Sequence, residues 1–158
     1  MIFVTLGTQP CDFSRCLRMV ESLIQSKTIG EEIIAQIGHS KYQPQGVKCV
    51  NFLSESDYQE CISKARVVIS HAGTGALFSS IKEGKKVISV ARLKKYGEMV
   101  NDHQLEIVRK LSSEGYILNG TDSLLDIWDQ LDSFIPRKCD FENHLPAHIK
   151  KQIDQWLS

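Results

Sequence analysis

An apolar run, Val67-Val68-Ile69, leads directly into Ser70-His71-Ala72-Gly73-Thr74-Gly75 and then into the helix-like stretch Leu77-Phe78-Ser79-Ser80-Ile81. A strand that ends in a glycine turn and opens a helix aims unpaired backbone N–H groups and the positive end of a helix dipole at one place. This unit confines the chain to folds in which strands run into helices at one edge of a sheet. The place it creates suits an anion, and phosphate is the commonest one found there.

The rest of the chain repeats the pattern. Ile2 to Leu6 is β-rich and stops at Gly7, and Asp12 is expected to cap a helix whose stripe is Phe13, Leu17, Val20 and Ile24. Ile33 to Ile37 and Val47 to Phe52 read as the second and third strands, joined by a polar connection containing Pro44. Ser56 and Gln59 have the spacing of a capping box, which predicts a short helix ending near Ala65. Arg66 to Ser70 is the fourth strand, Thr74 to Glu83 a helix stopped by Gly84, and Val87 to Val90 the fifth strand. A long loop from Ala91 precedes a helix carrying Leu105, Val108 and Leu111, then a short strand over Tyr116 to Leu118. Thr121 is the expected cap of a helix with Leu124, Leu125, Ile127, Trp128 and Leu131. Alternating strands and helices imply an α/β fold, a Rossmann-like, mostly parallel sheet with helices on both faces. One domain is expected over residues 1–158, with the α/β core at 1–133 and a linker and amphipathic helix at 134–158, the latter carrying Ile149, Ile153, Trp156 and Leu157 on one side.

Composition removes several classes of function. A chain of 158 residues with 42% apolar content buries one core. Lys plus Arg equals Asp plus Glu at 19 each, so no global field recruits nucleic acid or an anionic membrane. No apolar run approaches the roughly 20 residues that span a bilayer, and Met1-Ile2-Phe3-Val4 lacks the charged start of a signal peptide, so a cytoplasmic protein is expected. Five cysteines form no CxxC pair, which fits reduced thiols rather than a disulfide frame or a zinc site. His71 and His103 lack metal-ligand spacing, so no metal is expected. Phe78 occupies the place of the third glycine in a dinucleotide fingerprint, no GxxxxGK[ST] occurs, and no GxSxG elbow is present.

Ligands of parallel sheets bind outside the carboxyl ends of the strands. Gly7-Thr8-Gln9, Gly38-His39-Ser40, Ser70 to Gly75 and Ala91-Arg92 all fall at that edge, so four separate loops converge on one crevice. Edge position alone is weaker support, because every such sheet places some polar loops there.

Four motifs in order, Phe3-Val4-Thr5-Leu6-Gly7-Thr8-Gln9, Ala35-Gln36-Ile37-Gly38-His39-Ser40, Ser70-His71-Ala72-Gly73-Thr74-Gly75 and Asp102-His103-Gln104, resemble the donor-binding domain of the family 28 glycosyltransferases over roughly residues 1 to 120. The short, stand-alone form of that domain is the cytosolic subunit of the eukaryotic UDP-GlcNAc transferase of dolichol-linked glycans and one half of bacterial two-protein capsule and exopolysaccharide transferases. The stretch Arg92 to Glu98 is more similar to the bacterial branch.

The resemblance implies a UDP-sugar as substrate, no cofactor, and a fold that is one half of a two-lobed GT-B transferase. The diphosphate would lie against the Gly7-Thr8 turn and Gly73, Thr74 and Gly75, with Gln9, Gly38, His39 and His71 among the substrate-binding residues. Phe52 and Leu53 stand where such domains hold uracil, or else belong to the core. His103 and Gln104, next to Asp102 in the same substrate-binding motif, would position the donor sugar, the alternative being a helix start in which Asp102 is the cap and Gln104 is merely exposed. Arg92 would stabilise the departing UDP, or else be a solvated loop cation beside Lys94 and Lys95. No catalytic residue is assigned beyond that role for Arg92.

Two departures from the family pattern matter. Ser79 replaces a usual Glu that grips the ribose, leaving Glu83 as a possible substitute, and Ala91 replaces a usual Pro. One nucleotide fold is also only half of a two-lobed enzyme. The implied function is therefore the donor-binding subunit of an inverting hexosyltransferase acting on a lipid-pyrophosphate-linked acceptor in polysaccharide biosynthesis. Its partner would be a membrane-anchored subunit that supplies the acceptor lobe, recruits this chain to the inner face of the membrane and provides the base. The alternative is a non-catalytic, nucleotide-sugar-binding activator of such a subunit.

Overall fold

The computed structural model describes residues 1–27 and 29–139. The elements in chain order are β1 (Ile2–Thr5), α1 (Ser14–Ser26), β2 (Ile33–Gln36), β3 (Lys48–Val50), α2 (Glu55–Lys64), β4 (Val67–His71), α3 (Thr74–Lys82), β5 (Lys86–Val90), a 3₁₀ turn at Lys94–Tyr96, α4 (His103–Ser113), β6 (Leu118–Asn119) and α5 (Leu124–Trp128). The C-terminal helix expected around Trp156 lies outside the described residues.

The strands form one sheet in the order β3-β2-β1-β4-β5-β6, and every adjacent pair is parallel. The chain moves outward from β1 in one direction and then returns to build the other half from β4. The strand order therefore reverses between β1 and β4, where Thr5 stands opposite Ser70. Loops leaving the carboxyl ends of those two strands diverge to opposite faces and open a crevice.

Both faces are covered, which explains why β1 and β4 are buried throughout. On one face Ile2, Val4 and Leu6 pack with Leu17, Val20 and Leu23 of α1 and Leu124 of α5. On the other, Phe3 and Val68 pack with Ile62 of α2, Leu77 and Ile81 of α3, and Val108 and Leu111 of α4. The period-2 alternation along β1 thus feeds two separate cores.

Several element starts differ from the sequence expectation. Asp12 does not cap α1. Phe13 occupies the cap position without a side-chain bond, while Asp12 accepts from the Ser14 hydroxyl at 2.6 Å and the Lys41 amide at 3.1 Å. Helix α2 is capped by Ser54, whose Oγ accepts from the Asp57 amide at 3.2 Å, so the cap lies two residues before Ser56. Ser123, not Thr121, caps α5 through the Asp126 amide. Thr121 instead accepts the Ala91 N–H at 3.1 Å and joins the exits of β5 and β6. Gly84 does terminate α3, with φ of +66°.

Candidate functional site

A cleft of about 490 Å³ lies at the carboxyl ends of β1 and β4. Its floor is Thr5, the Gly7-Thr8-Gln9 turn and His71. Gly73 to Ala76 and Ser79 form the α3 side, and Gln36, Leu53, Glu55, Tyr58 and Gln59 form the opposite wall. Helix α3 begins at this point, so its first-turn amides, which have no partner within the helix, face the cleft together with the positive end of its dipole.

His71 organises the floor. It is only 8% exposed, and its Nδ1 lies 3.2 Å from the carbonyl oxygen of Thr5. A carbonyl can only accept, so the ring proton sits on Nδ1 and Nε2 carries the lone pair. The ring fills the space beside both glycine turns. A Cβ built on Gly7 would stand 2.4 Å from Nε2, and one built on Gly73 would stand 2.1 Å from it. Gly7 also has φ of +75°, a conformation that side-chain-bearing residues rarely adopt. Burial pushes the imidazole pKa down to about 4, opposed by the Thr5 hydrogen bond and reinforced by the charge of Arg92. At neutral pH the ring is uncharged.

The remaining walls explain residues that sequence reasoning had left unassigned. Gln36 is buried, and its Oε1 accepts the Leu53 N–H at 3.0 Å, tying the end of β2 to the wall. The Tyr58 hydroxyl lies 3.2 Å from Thr5 Oγ1, and its ring meets Phe3 edge-on at 5.4 Å. Glu55 also lines the cleft, its Oε1 accepting from Gln59 Nε2 at 3.0 Å. Its only sequence signal was its position at the start of the helix that follows the third strand.

Gly38 stands directly behind Gly7, since a Cβ there would meet the Gly7 carbonyl oxygen at 2.6 Å. His39 packs edge-on against Phe52 at 5.2 Å. Phe52 is half exposed and so is not plain core, whereas Leu53 is partly buried against the α2–α3 core and lines the cleft. Glu83 caps the far end of α3 and does not line the cleft, so it does not stand in for the carboxylate missing at Ser79.

Arg92 departs from both sequence expectations. It is 1% exposed, not solvated, and its guanidinium does not line the cleft. Its Nη2 donates to Leu6 O at 2.7 Å, its Nη1 reaches Cys11 O at 3.5 Å, and the group lies 4.9 Å from the Phe13 ring centroid. Arg92 therefore braces the Gly7 turn from below. Its own N–H donates to Gln104 Oε1 at 3.0 Å, and Gln104 is buried rather than merely exposed. Asp102 accepts the Lys94 N–H at 2.8 Å and makes no side-chain cap, while His103 is half-buried with its Nδ1 3.4 Å from Glu106. The 102–104 motif and the glycine turns are thus separate features, joined through Arg92.

Arg15 fastens the same region from α1. It pairs with buried Glu98 at 2.8 and 3.0 Å and donates to Ala91 O at 2.6 Å and Thr121 O at 3.1 Å. Glu98 also accepts the Leu93 N–H at 2.9 Å. A larger depression of about 610 Å³ lies over this ion pair, between the starts of α1 and α5. Its Arg15 and Glu98 already satisfy each other, whereas the β1–β4 cleft presents the glycine turns and a helix start.

A doubly wound parallel sheet with a glycine cradle at its switch point is the architecture of one half of a two-lobed GT-B glycosyltransferase. The chain belongs to the glycosyltransferase family 28 C-terminal domain family, whose model matches residues 1–151. It is similar to the human UDP-N-acetylglucosamine transferase subunit ALG13, with 31% identity over 87% of this chain and 13% of that protein. The subunit of the same name from Candida glabrata is 30% identical over 57% of this chain and 44% of that one. The chain therefore spans less than half the length of either relative. Among solved structures, the NMR structure of ALG13 superposes with a TM-score of 0.59 at 19% identity, covering 99% of this chain and 96% of that one. Acinetobacter baumannii MurG superposes with a TM-score of 0.55 at 15% identity, covering 82% and 40%. At those identities the structural likeness speaks for the fold.

Proposed function

We propose that this chain binds the UDP-sugar donor of an inverting hexosyltransferase whose acceptor is a lipid-pyrophosphate-linked sugar of glycan or polysaccharide assembly. One observation carries the reading. The Gly7 turn, the Gly73-Thr74-Gly75 turn and the start of α3 converge on a single cleft large enough for a nucleoside diphosphate. UDP-N-acetylglucosamine, for which the relatives are named, is the first donor to test. The reading calls for no cofactor. Glu55, across the cleft from Ser79, takes the place of the family's ribose-gripping carboxylate.

One nucleotide fold is half of a two-lobed enzyme of roughly 300 residues. The relatives are named as transferase subunits, which supports assigning the acceptor site and the base to a membrane-anchored partner that holds this chain at the cytoplasmic face of the membrane. Among the described residues no helix is long and apolar enough to cross a membrane, which suits recruitment by a partner. Ser79 favours a second reading, in which a weakened donor site leaves the chain as a non-catalytic activator of that partner.

Calorimetry tests the site. UDP should bind at least about tenfold more tightly than uridine, a gap of about 1.4 kcal/mol. Gly75→Asp should close the gap, because its Cβ has open space but its carboxylate opposes an anion in the cradle. Glu55→Gln should narrow the preference for UDP over 2′-deoxy-UDP by about 1 kcal/mol. Equal affinity of the native protein for UDP and uridine would sink the assignment.

A further inference from the structure

The imidazole under the two glycine turns has one polar atom with nothing to do. His71 is more than nine-tenths buried, its Nδ1–H is used by Thr5 O, and its Nε2 has no hydrogen-bond partner among the described residues. That nitrogen sits between the Gly7 and Gly73 turns, where the amides of the α3 start also point. In the neutral tautomer fixed by Thr5 the atom facing the cradle is an acceptor. An acceptor is the wrong partner for a diphosphate oxygen, which can only accept, so the ring can meet the ligand only after gaining a proton.

We propose that the cleft takes its diphosphate together with a proton from solvent, which lands on His71 Nε2 and turns the ring into a two-handed donor, to Thr5 O on one side and to a phosphate oxygen on the other. The step forms one N–H bond, and the proton comes from water or buffer. This rests on the donor-site reading above and adds to it a linkage between binding and pH.

The surroundings are consistent with a ring that stays neutral until an anion arrives. Arg92, on the exit of β5, contributes the positive charge that disfavours the imidazolium. Helix α2 presents Glu55 and Tyr58 from across the cleft. The Gly7-Thr8-Gln9 turn and the Gly73 to Ala76 turn bring no titratable side chain to it. A bound diphosphate places negative charge closest to Nε2 and reverses the balance, so the imidazole pKa, about 4 in the empty cleft, rises on binding. A pKa raised in the complex makes affinity highest at low pH and lets it fall as pH climbs through the bound-state value.

UDP-GlcNAc is the probe, because its diphosphate does not itself titrate between pH 5.5 and 8.5, a window set by roughly the ordinary range of histidine. Calorimetry at pH 7 in buffers of different ionisation enthalpy should show net proton uptake approaching one per site. As pH rises, affinity should weaken by up to about tenfold per pH unit below the bound-state value and level off above it. With ¹⁵N-histidine labelling, the His71 Nε2 resonance should move from the lone-pair to the protonated range as ligand is added. His71→Gln, whose amide can donate without titrating, should bind with no uptake and no pH dependence in this window. Binding by the native protein without proton uptake, or uptake with the His71 resonance unmoved, overturns the proposal while leaving the donor site standing. Failure of UDP-GlcNAc to outbind uridine overturns both. Should His71→Gln fail to fold, the native proton count and the resonance still decide.

Discussion

Gly73 makes the sharpest case at the scale of single residues. Its backbone is extended with φ of −71°, so any residue can adopt its conformation, and glycine is required there by space alone. A methyl group would enter the His71 ring at 2.1 Å. Gly73→Ala should therefore destabilise the protein by about 1–3 kcal/mol through overpacking and weaken UDP binding. His71→Ala in the same chain should recover part of the stability but not the binding. Thermal unfolding and calorimetry of the single and double variants check this, and additive losses would mean that ring and turn are not in contention. The sequence made Gly73, Thr74 and Gly75 legible because strand, glycine turn and helix are contiguous. Arg92 and Glu55 were not, because their roles depend on partners far away in sequence: Leu6 for the former, the α3 side of the cleft for the latter. An arginine in a loop with Lys94 and Lys95 reads as solvated. Nothing local reveals that it turns inward beneath a strand end.

At the scale of elements, the order of strands and helices was readable because apolar periodicity is local, whereas caps were misplaced by about two residues. Ser54 stands just before α2 while Ser56 is its second residue, and it is the Ser54 hydroxyl that meets the Asp57 amide. Thr121 was drawn away from α5 by the Ala91 N–H, a contact 30 residues distant. The opposite end of the sheet is held by charge. Arg66, just before β4, donates to Glu31, just before β2, at 2.8 Å, and this bond above all holds the Glu31 carboxyl at about 2, against some loss of solvation. A depressed carboxylate pKa contributes stability above the unfolded value near 4.5, and loses it as pH falls toward 2. Glu31→Gln should then cost about 1 kcal/mol at pH 7, the partly exposed arginine limiting the effect, and almost nothing near pH 2. Denaturant melts at the two pH values measure the difference. An equal loss at both would assign the effect to packing instead.

At the scale of the whole molecule, the chain carries one nucleotide fold, and the proposed reaction needs a second lobe. Alone it should bind donor without transferring sugar, and the proposed membrane-anchored partner should restore transfer. His103→Ala should then lower the rate about tenfold with the complex still assembled, equivalent to about 1.4 kcal/mol of transition-state stabilisation. An unchanged rate would remove His103 from the donor-sugar site, and vigorous transfer by the isolated chain would overturn the two-subunit reading. The sheet order bears on how such a site survives partial unfolding. β1 and β4 are fully buried interior strands, whereas the edges β3 and β6 are only three and two residues long. Opening of the sheet should begin at those edges, so the backbone amides of Phe3, Val4 and Ile69 should exchange with deuterium only on global unfolding. The cradle is fastened to the last part of the molecule to come apart, and its glycines can stay flexible in kind while resting on the most slowly exchanging backbone in the chain.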